Sequence, residues 1–285
     1  MTTSVTNFFK NLPDFQVDPD EHAKRKEMGL NAGKKLENSV ETFDFSQLAG
    51  KKYHIPIPAY IPYAGDPRWK DAPFGPVNTL EKAGCIVFVI KSLLDYYGYK
   101  NVSIEEITKA CVSKGYRMWK FPTVSESLNL EEITLEKVKE AFPGNPYVQA
   151  CKDLKELGTP VGVGGSFYFL DSIINMLSGN TSDRYHTRLS CVEDILHNIA
   201  MGHPVPLRVE NSIYLDDPSK KEGHYVVLFA VVHGVATVID SNSRTPVKVL
   251  FEQLMRAATA NPRLIAAWDT SKIKFACQSS KKEGH

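Results

Sequence analysis

The chain has 285 residues, which suits one large domain or two small ones and buries enough surface for a core that needs no disulfide or metal. Lys and Arg total 34 against 33 Asp and Glu, leaving a formal charge of +1 without the basic excess of a nucleic-acid binder. With 42% hydrophobic and 24% charged residues, the composition is that of a folded protein and excludes a disordered one.

No apolar run approaches the roughly 18 residues of a membrane helix, so membrane insertion is not expected. The N-terminus lacks the basic-then-apolar order of a secretory signal. Cysteines 85, 111, 151, 191 and 277 are odd in number, scattered, and without C-x-x-C spacing. A disulfide framework or zinc site is not expected, nor any cofactor, and a reducing, cytoplasmic setting is the default.

In chain order, residues 1–50 form a polar, charge-mixed arm with isolated apolar anchors such as Phe8, Phe15, Phe43 and Phe45. An exposed helix with a thin apolar face is expected over 21–37, lying over the main domain or partly mobile. Such an arm would also suit an inhibitory segment over a cleft. The main domain is expected over 51–275 and a short tail over 276–285. A proline-dense connector, His54-Ile-Pro-Ile-Pro, biases the chain toward extended conformation.

Helices are expected over 84–97, 103–113 (opened by the capping box Ser103-Ile-Glu-Glu106), 131–142, 171–177 and 191–201. The apolar run 86–90 also suits a buried strand. The period then becomes alternating, predicting strands over 205–210, 223–232, 235–240 and 247–250, a short helix over 251–259 and a last strand near 264–268. Helices first and strands afterwards is an α+β pattern.

Cys85 opens the most apolar helix candidate. A cysteine in a first turn faces unpaired backbone N–H groups and the positive end of the helix dipole, which favour thiolate and stabilise an oxyanion. Gly84 before it leaves room for a substrate backbone. By itself, Cys85 reads better as a small core hydrophobe than as a nucleophile.

His224 begins one strand, just after Gly223, and Asp240 ends the next. If Val232-His233-Gly234 is a three-residue loop, Val231 pairs with Val235 and His224 falls opposite Asn242. Asp240 is then a same-face diagonal neighbour of His224. A two-residue turn at His233-Gly234 would send Asp240 to the opposite face. In the productive register the carboxylate orients the imidazole and stabilises its charged form.

The sequence Asp66-Pro-Arg-Trp69, then Phe74-Gly75, then Gly84-Cys85 opening an apolar helix, resembles the start of papain-like cysteine peptidases of the bacteriocin-processing (double-glycine-type) group. Helix 191–202 with Pro204-Val-Pro206, Gly223-His224-Tyr-Val-Val and Val238-Ile-Asp240-Ser241 resemble the later parts of that family. The resemblance runs from about Tyr53 to Trp268. It implies a papain-like α+β fold, with a nucleophile helix packed on a twisted antiparallel sheet. It also implies Cys85 as nucleophile, His224 as general base and acid, Asp240 as orienter, and a protein or peptide substrate.

The chain departs from the family in one place. Where the motif calls for an oxyanion-polarising Gln, two residues before Asp66, stands Ala64. Asn78 offers a substitute carboxamide, or is a turn residue after Gly75-Pro76; Tyr63 is a weaker donor. Two other outcomes are compatible with the same residues: an acyltransferase or deamidase acting on protein glutamine, and a papain-like binding module that has lost activity.

The remaining motifs are weaker. Val161-Gly-Val-Gly-Gly-Ser166 lacks phosphate-loop spacing and reads as a turn. His186, His197 and His203 lack metal-ligand spacing.

Overall fold

A computed structural model describes residues 19–72, 79–113, 188–220, 222–260 and 267–276, with isolated positions between 134 and 178. The elements are α1 (Pro19–Thr42), a 3-10 turn (Phe45–Leu48), β1 (Lys52–His54), α2 (Leu80–Ala83), α3 (Cys85–Tyr96) and α4 (Ile104–Ser113). They continue with α5 (Val192–Ala200), β2 (Val205–Glu210), α6 (Asn211–Tyr214), β3 (Gly223–Val232), β4 (Val235–Asp240), β5 (Val247–Leu250) and α7 (Phe251–Thr259). Helix and sheet are mixed around an open antiparallel sheet, an α+β architecture. No helix among the described residues is long and apolar enough to cross a membrane. The predicted segment 161–166 and the helix predicted over 131–142 lie outside the described residues except at isolated positions, as does that over 171–177.

β3 is the organising strand. One of its edges pairs with β2 along 223–228 and with β1 along 230–232; the other pairs with β4, which in turn pairs with β5. The four predicted strands 205–250 stand where alternation placed them. β1 does not follow from the sequence pattern, because only three residues precede the proline run. The expected last strand is reduced to two isolated bridges, Leu207 with Ala267 and Arg188 with Trp268.

The ambiguous apolar run 86–90 is helical. Every residue from Ile86 to Asp95 is buried, so α3 is surrounded on all sides, which explains why the run 86–90 carries no polar residue to mark it as a helix. It packs on β3 and β4. In α4 the predicted capping box forms: Ser103 Oγ accepts from Glu106 N at 3.1 Å, and Glu106 accepts from Ser103 N at 2.8 Å.

The arm contains a helix longer than expected, α1, with a buried stripe of Gly29, Gly33, Leu36 and Val40. The two glycines hid this face, since they carry no apolar side chain. The helix docks on α7 and α5, and Ser39 Oγ accepts from Val192 N at 2.9 Å, satisfying a free amide at the start of α5.

Candidate active site

The hairpin between β3 and β4 decides where His224 and Asp240 meet. The predicted three-residue loop is replaced by a two-residue turn: Val232 pairs with Val235, and both His233 (φ 51°) and Gly234 (φ 79°) are left-handed. This is the tight hairpin turn whose twist matches that of the strands, and Gly234 takes it without a Cβ clash. Alone it would put Asp240 on the far face from His224. A bulge intervenes between Leu228 and Ala230, adding Phe229 to β3 and shifting the register by one. Beyond the bulge Val226 faces Asp240, so His224 projects two positions further along the same face.

The bulge is fixed on both sides. Phe229 is fully buried, its ring edge-on to Tyr96 at 5.7 Å, and its carbonyl accepts from Ile55 N at 3.0 Å. The proline-dense connector thus holds the irregularity that the site requires.

His224 and Asp240 are both buried, with His224 Nε2 2.7 Å from Asp240 Oδ1. The same oxygen accepts from Asn242 N at 2.8 Å, and Oδ2 accepts from the Tyr214 hydroxyl at 3.0 Å. With Nε2 held, Nδ1 is the ring nitrogen left for Cys85, whose side chain acts electrostatically on the imidazole. Cys85 is the first residue of α3, half-buried, and not in a disulfide. The structure therefore gathers Cys85, His224 and Asp240, which are separated by up to 155 residues, at the head of one helix and the end of one hairpin.

Burial opposes charge on the imidazole. The Asp240 hydrogen bond and the electrostatic action of Asp240 and Cys85 outweigh it, and the ring is pushed up to about 10. Burial likewise opposes the Asp240 carboxylate. His224, the Asn242 amide and the Tyr214 hydroxyl hold it below the usual range all the same. The arrangement favours a protonated imidazole against the Asp240 carboxylate across neutral pH.

Gly84 and Gly223 flank these groups, and each is crowded by the protein itself. A Cβ on Gly84 would lie 2.5 Å from Leu80 O, and one on Gly223 would sit 2.8 Å from the Arg208 Cζ. Packing against backbone thus demands glycine at position 84, whereas at Gly223 the neighbour is the movable end of the Arg208 side chain.

Ala64 lies against the site: its N–H donates to Ser241 O at 2.8 Å, one residue past Asp240. It brings no side-chain donor. The neighbouring Asp66-Pro-Arg-Trp69 motif shapes this turn. Asp66 is paired bidentately with Arg68 and held down at about 2 by that side chain, and the Trp69 indole donates to Tyr63 O at 2.8 Å. The Tyr63 ring lies under the Arg244 guanidinium at 4.8 Å. Asn78, Phe74 and Gly75 lie outside the described residues.

Tyr214 and the phenylalanine bulge are contributions the sequence pattern did not reveal. Among the described residues no cluster of three His, Cys, Asp or Glu could hold a metal ion. His203 faces the Tyr97 hydroxyl at 3.3 Å, away from any such grouping. No family model matches the chain, and neither a curated protein nor a solved structure matches it.

Proposed function

We propose that the chain is a cysteine peptidase of papain-like fold that cleaves a peptide or isopeptide bond through Cys85, His224 and Asp240. The observation that carries this reading is the buried imidazole held by Asp240 on one nitrogen, with the thiol at a helix head acting on the same ring. A purely structural histidine has no need of a sulfur partner or of a carboxylate held by three donors.

In this mechanism the Cys85 thiolate attacks the substrate carbonyl carbon, and the C–O electrons collect on oxygen. The backbone N–H groups at the start of α3 face that oxyanion, with Asn78 as the candidate side-chain donor. Collapse breaks the C–N bond while the imidazolium of His224 gives its proton to the departing amine. Acylation removes the anionic charge of Cys85, so the neutral ring left behind is a base. It takes a proton from water as the hydroxide attacks the thioester; collapse breaks the C–S bond, releases the carboxylic acid and returns the thiolate beside the imidazolium. Gly84 and Gly223 border the approach to sulfur and ring.

The test uses the described thiols as internal standards. Cys111 is fully buried, and burial pushes the Cys191 thiol up to about 11. Iodoacetamide at pH 7 should label Cys85 at least about tenfold faster than either. A peptide library incubated with wild-type protein should then yield cleavage products that vanish in Cys85→Ala. Products carrying an added amine would identify a transferase, and labelling of Cys85 no faster than Cys191 would sink the enzymatic reading.

A further inference from the structure

We propose that Tyr214, clamped by Gln253 of α7, is a positioning residue for the Asp240–His224 pair; this rests on the catalytic reading above. The two carboxylate oxygens of Asp240 have different tasks. Oδ1 holds the His224 ring and the Asn242 amide, and Oδ2 holds the Tyr214 hydroxyl. Asp240 and Tyr214 are 4% and 3% exposed, so water has little access to replace a lost hydroxyl. Without that third bond Oδ2 is left buried without its donor, and negative charge concentrates on the oxygen that faces His224.

Tyr214 sits at the end of the single-turn helix α6, an element too short to hold its own geometry. Just past it, Asp216 N donates to Ile213 O at 3.2 Å. Gln253 adds a tie from α7: its amide donates to Ile213 O at 2.9 Å and Tyr214 O at 3.2 Å. At the other end of the turn, Asn211 N donates to Glu222 O at 3.0 Å, two residues before His224. A continuous set of hydrogen bonds therefore runs from α7 through Tyr214 and Asp240 to the ring that faces Cys85.

The titratable groups acting on this pair are Cys85 from α3, Tyr214 from α6, and the two members themselves on β3 and β4. Burial and the adjacent Asp240 charge keep the Tyr214 phenol protonated, so it acts as a donor at every pH where the fold persists. A donor on Oδ2 withdraws negative charge from Oδ1. Its removal makes Asp240 the stronger acceptor, and the pair holds its proton more tightly.

The experiment measures the rate of Cys85 alkylation by iodoacetamide against pH in wild type, Tyr214→Phe and Gln253→Met. Under the catalytic reading wild type should show two inflections, the upper one being loss of the His224 imidazolium proton. In Tyr214→Phe the upper inflection should rise by about half to one pH unit, a roughly three- to tenfold tighter proton. Gln253→Met should move it the same way by less. A hydroxyl that merely packs would change the melting temperature and leave both inflections in place; superimposable profiles in folded Tyr214→Phe overturn the proposal. If Tyr214→Phe fails to fold, Gln253→Met decides by the same criterion. A wild type with one inflection, in the range of an ordinary thiol, overturns the catalytic reading instead, whereas two inflections unmoved by either variant overturn only the role of Tyr214.

Discussion

Two buried acid–base pairs, one within helix α3 and one beside its head, have nearly the same geometry. Lys91 Nζ lies 2.6 Å from Asp95 Oδ1, and His224 Nε2 lies 2.7 Å from Asp240 Oδ1. Side-chain exposures are 10% and 8% in the first pair, 7% and 5% in the second. Distance and burial therefore cannot explain why the two carboxyl groups move in opposite directions. Burial pushes Asp95 up despite Lys91 and, at longer range, Lys100; Asp240 is held down. The difference lies in the donors: Asp240 has two neutral ones, a backbone amide and a phenol, besides its cation. The cations differ as well. Lys91 gives a second proton to Lys100 O at 3.1 Å, a contact with no chemistry to follow. His224 meets a sulfur.

The largest effects should come from the second pair. His224→Ala should lower turnover by about 10⁴-fold or more, because no other group described beside Cys85 can take or return a proton. Asp240→Asn should cost about 10³-fold, since the amide cannot stabilise the imidazolium and can select the wrong tautomer. It should also alter stability against pH. The folded ring keeps its proton up to about 10 against an ordinary 6.5. Its contribution to folding is therefore complete below about 6.5 and is lost as pH rises toward 10. Urea unfolding of wild type should show that decline, and Asp240→Asn should flatten it.

Lys91→Met tests the first pair, with the opposite signature. Removing the cation should destabilise by about 3 kcal/mol in urea unfolding, moderated because Asp95 is already biased toward its neutral form. The double change Lys91→Met with Asp95→Leu should recover most of that loss, as apolar replacements of a whole buried pair often do. Neither should move the alkylation profile of Cys85. A shifted profile would mean that the two ends of α3 communicate and that the contrast drawn between them is wrong.

The extent to which this was legible in the sequence varies from residue to residue. Cys85, His224 and Asp240 were readable because chemistry restricts residue type and because strand alternation fixed the four strands of 205–250. The exact hairpin was not. A two-residue turn and a one-residue bulge cancel in parity, so the right neighbours followed from a loop of the wrong length. Bulges depend on what receives the extra residue, here Ile55 and Tyr96, both remote in sequence from Phe229. Tyr214 was invisible for a related reason. It lies in an irregular connection between β2 and β3, where no periodicity marks an inward side chain. The α1 face was hidden by Gly29 and Gly33, which an apolar count does not register.

The smallest prediction concerns that arm and contrasts two helix caps. α4 is capped by its own neighbours, Ser103 and Glu106, through a sequence-local box. α5 opens with Cys191, whose sulfur accepts from Asp194 N at 3.4 Å, a weak partner. The Val192 amide is served from 153 residues away by Ser39. A local cap forms with its helix, whereas a distant one reports whether α1 is docked. Ser39→Ala should therefore cost about 1 kcal/mol, as the loss of an ordinary cap does. The cost should appear as faster amide exchange both at the start of α5 and along α1. Ser103→Ala should cost a similar amount and raise exchange in α4 alone. Equal exchange in α1 for wild type and Ser39→Ala would mean that the buried stripe, rather than the shared hydrogen bond, holds the arm in place.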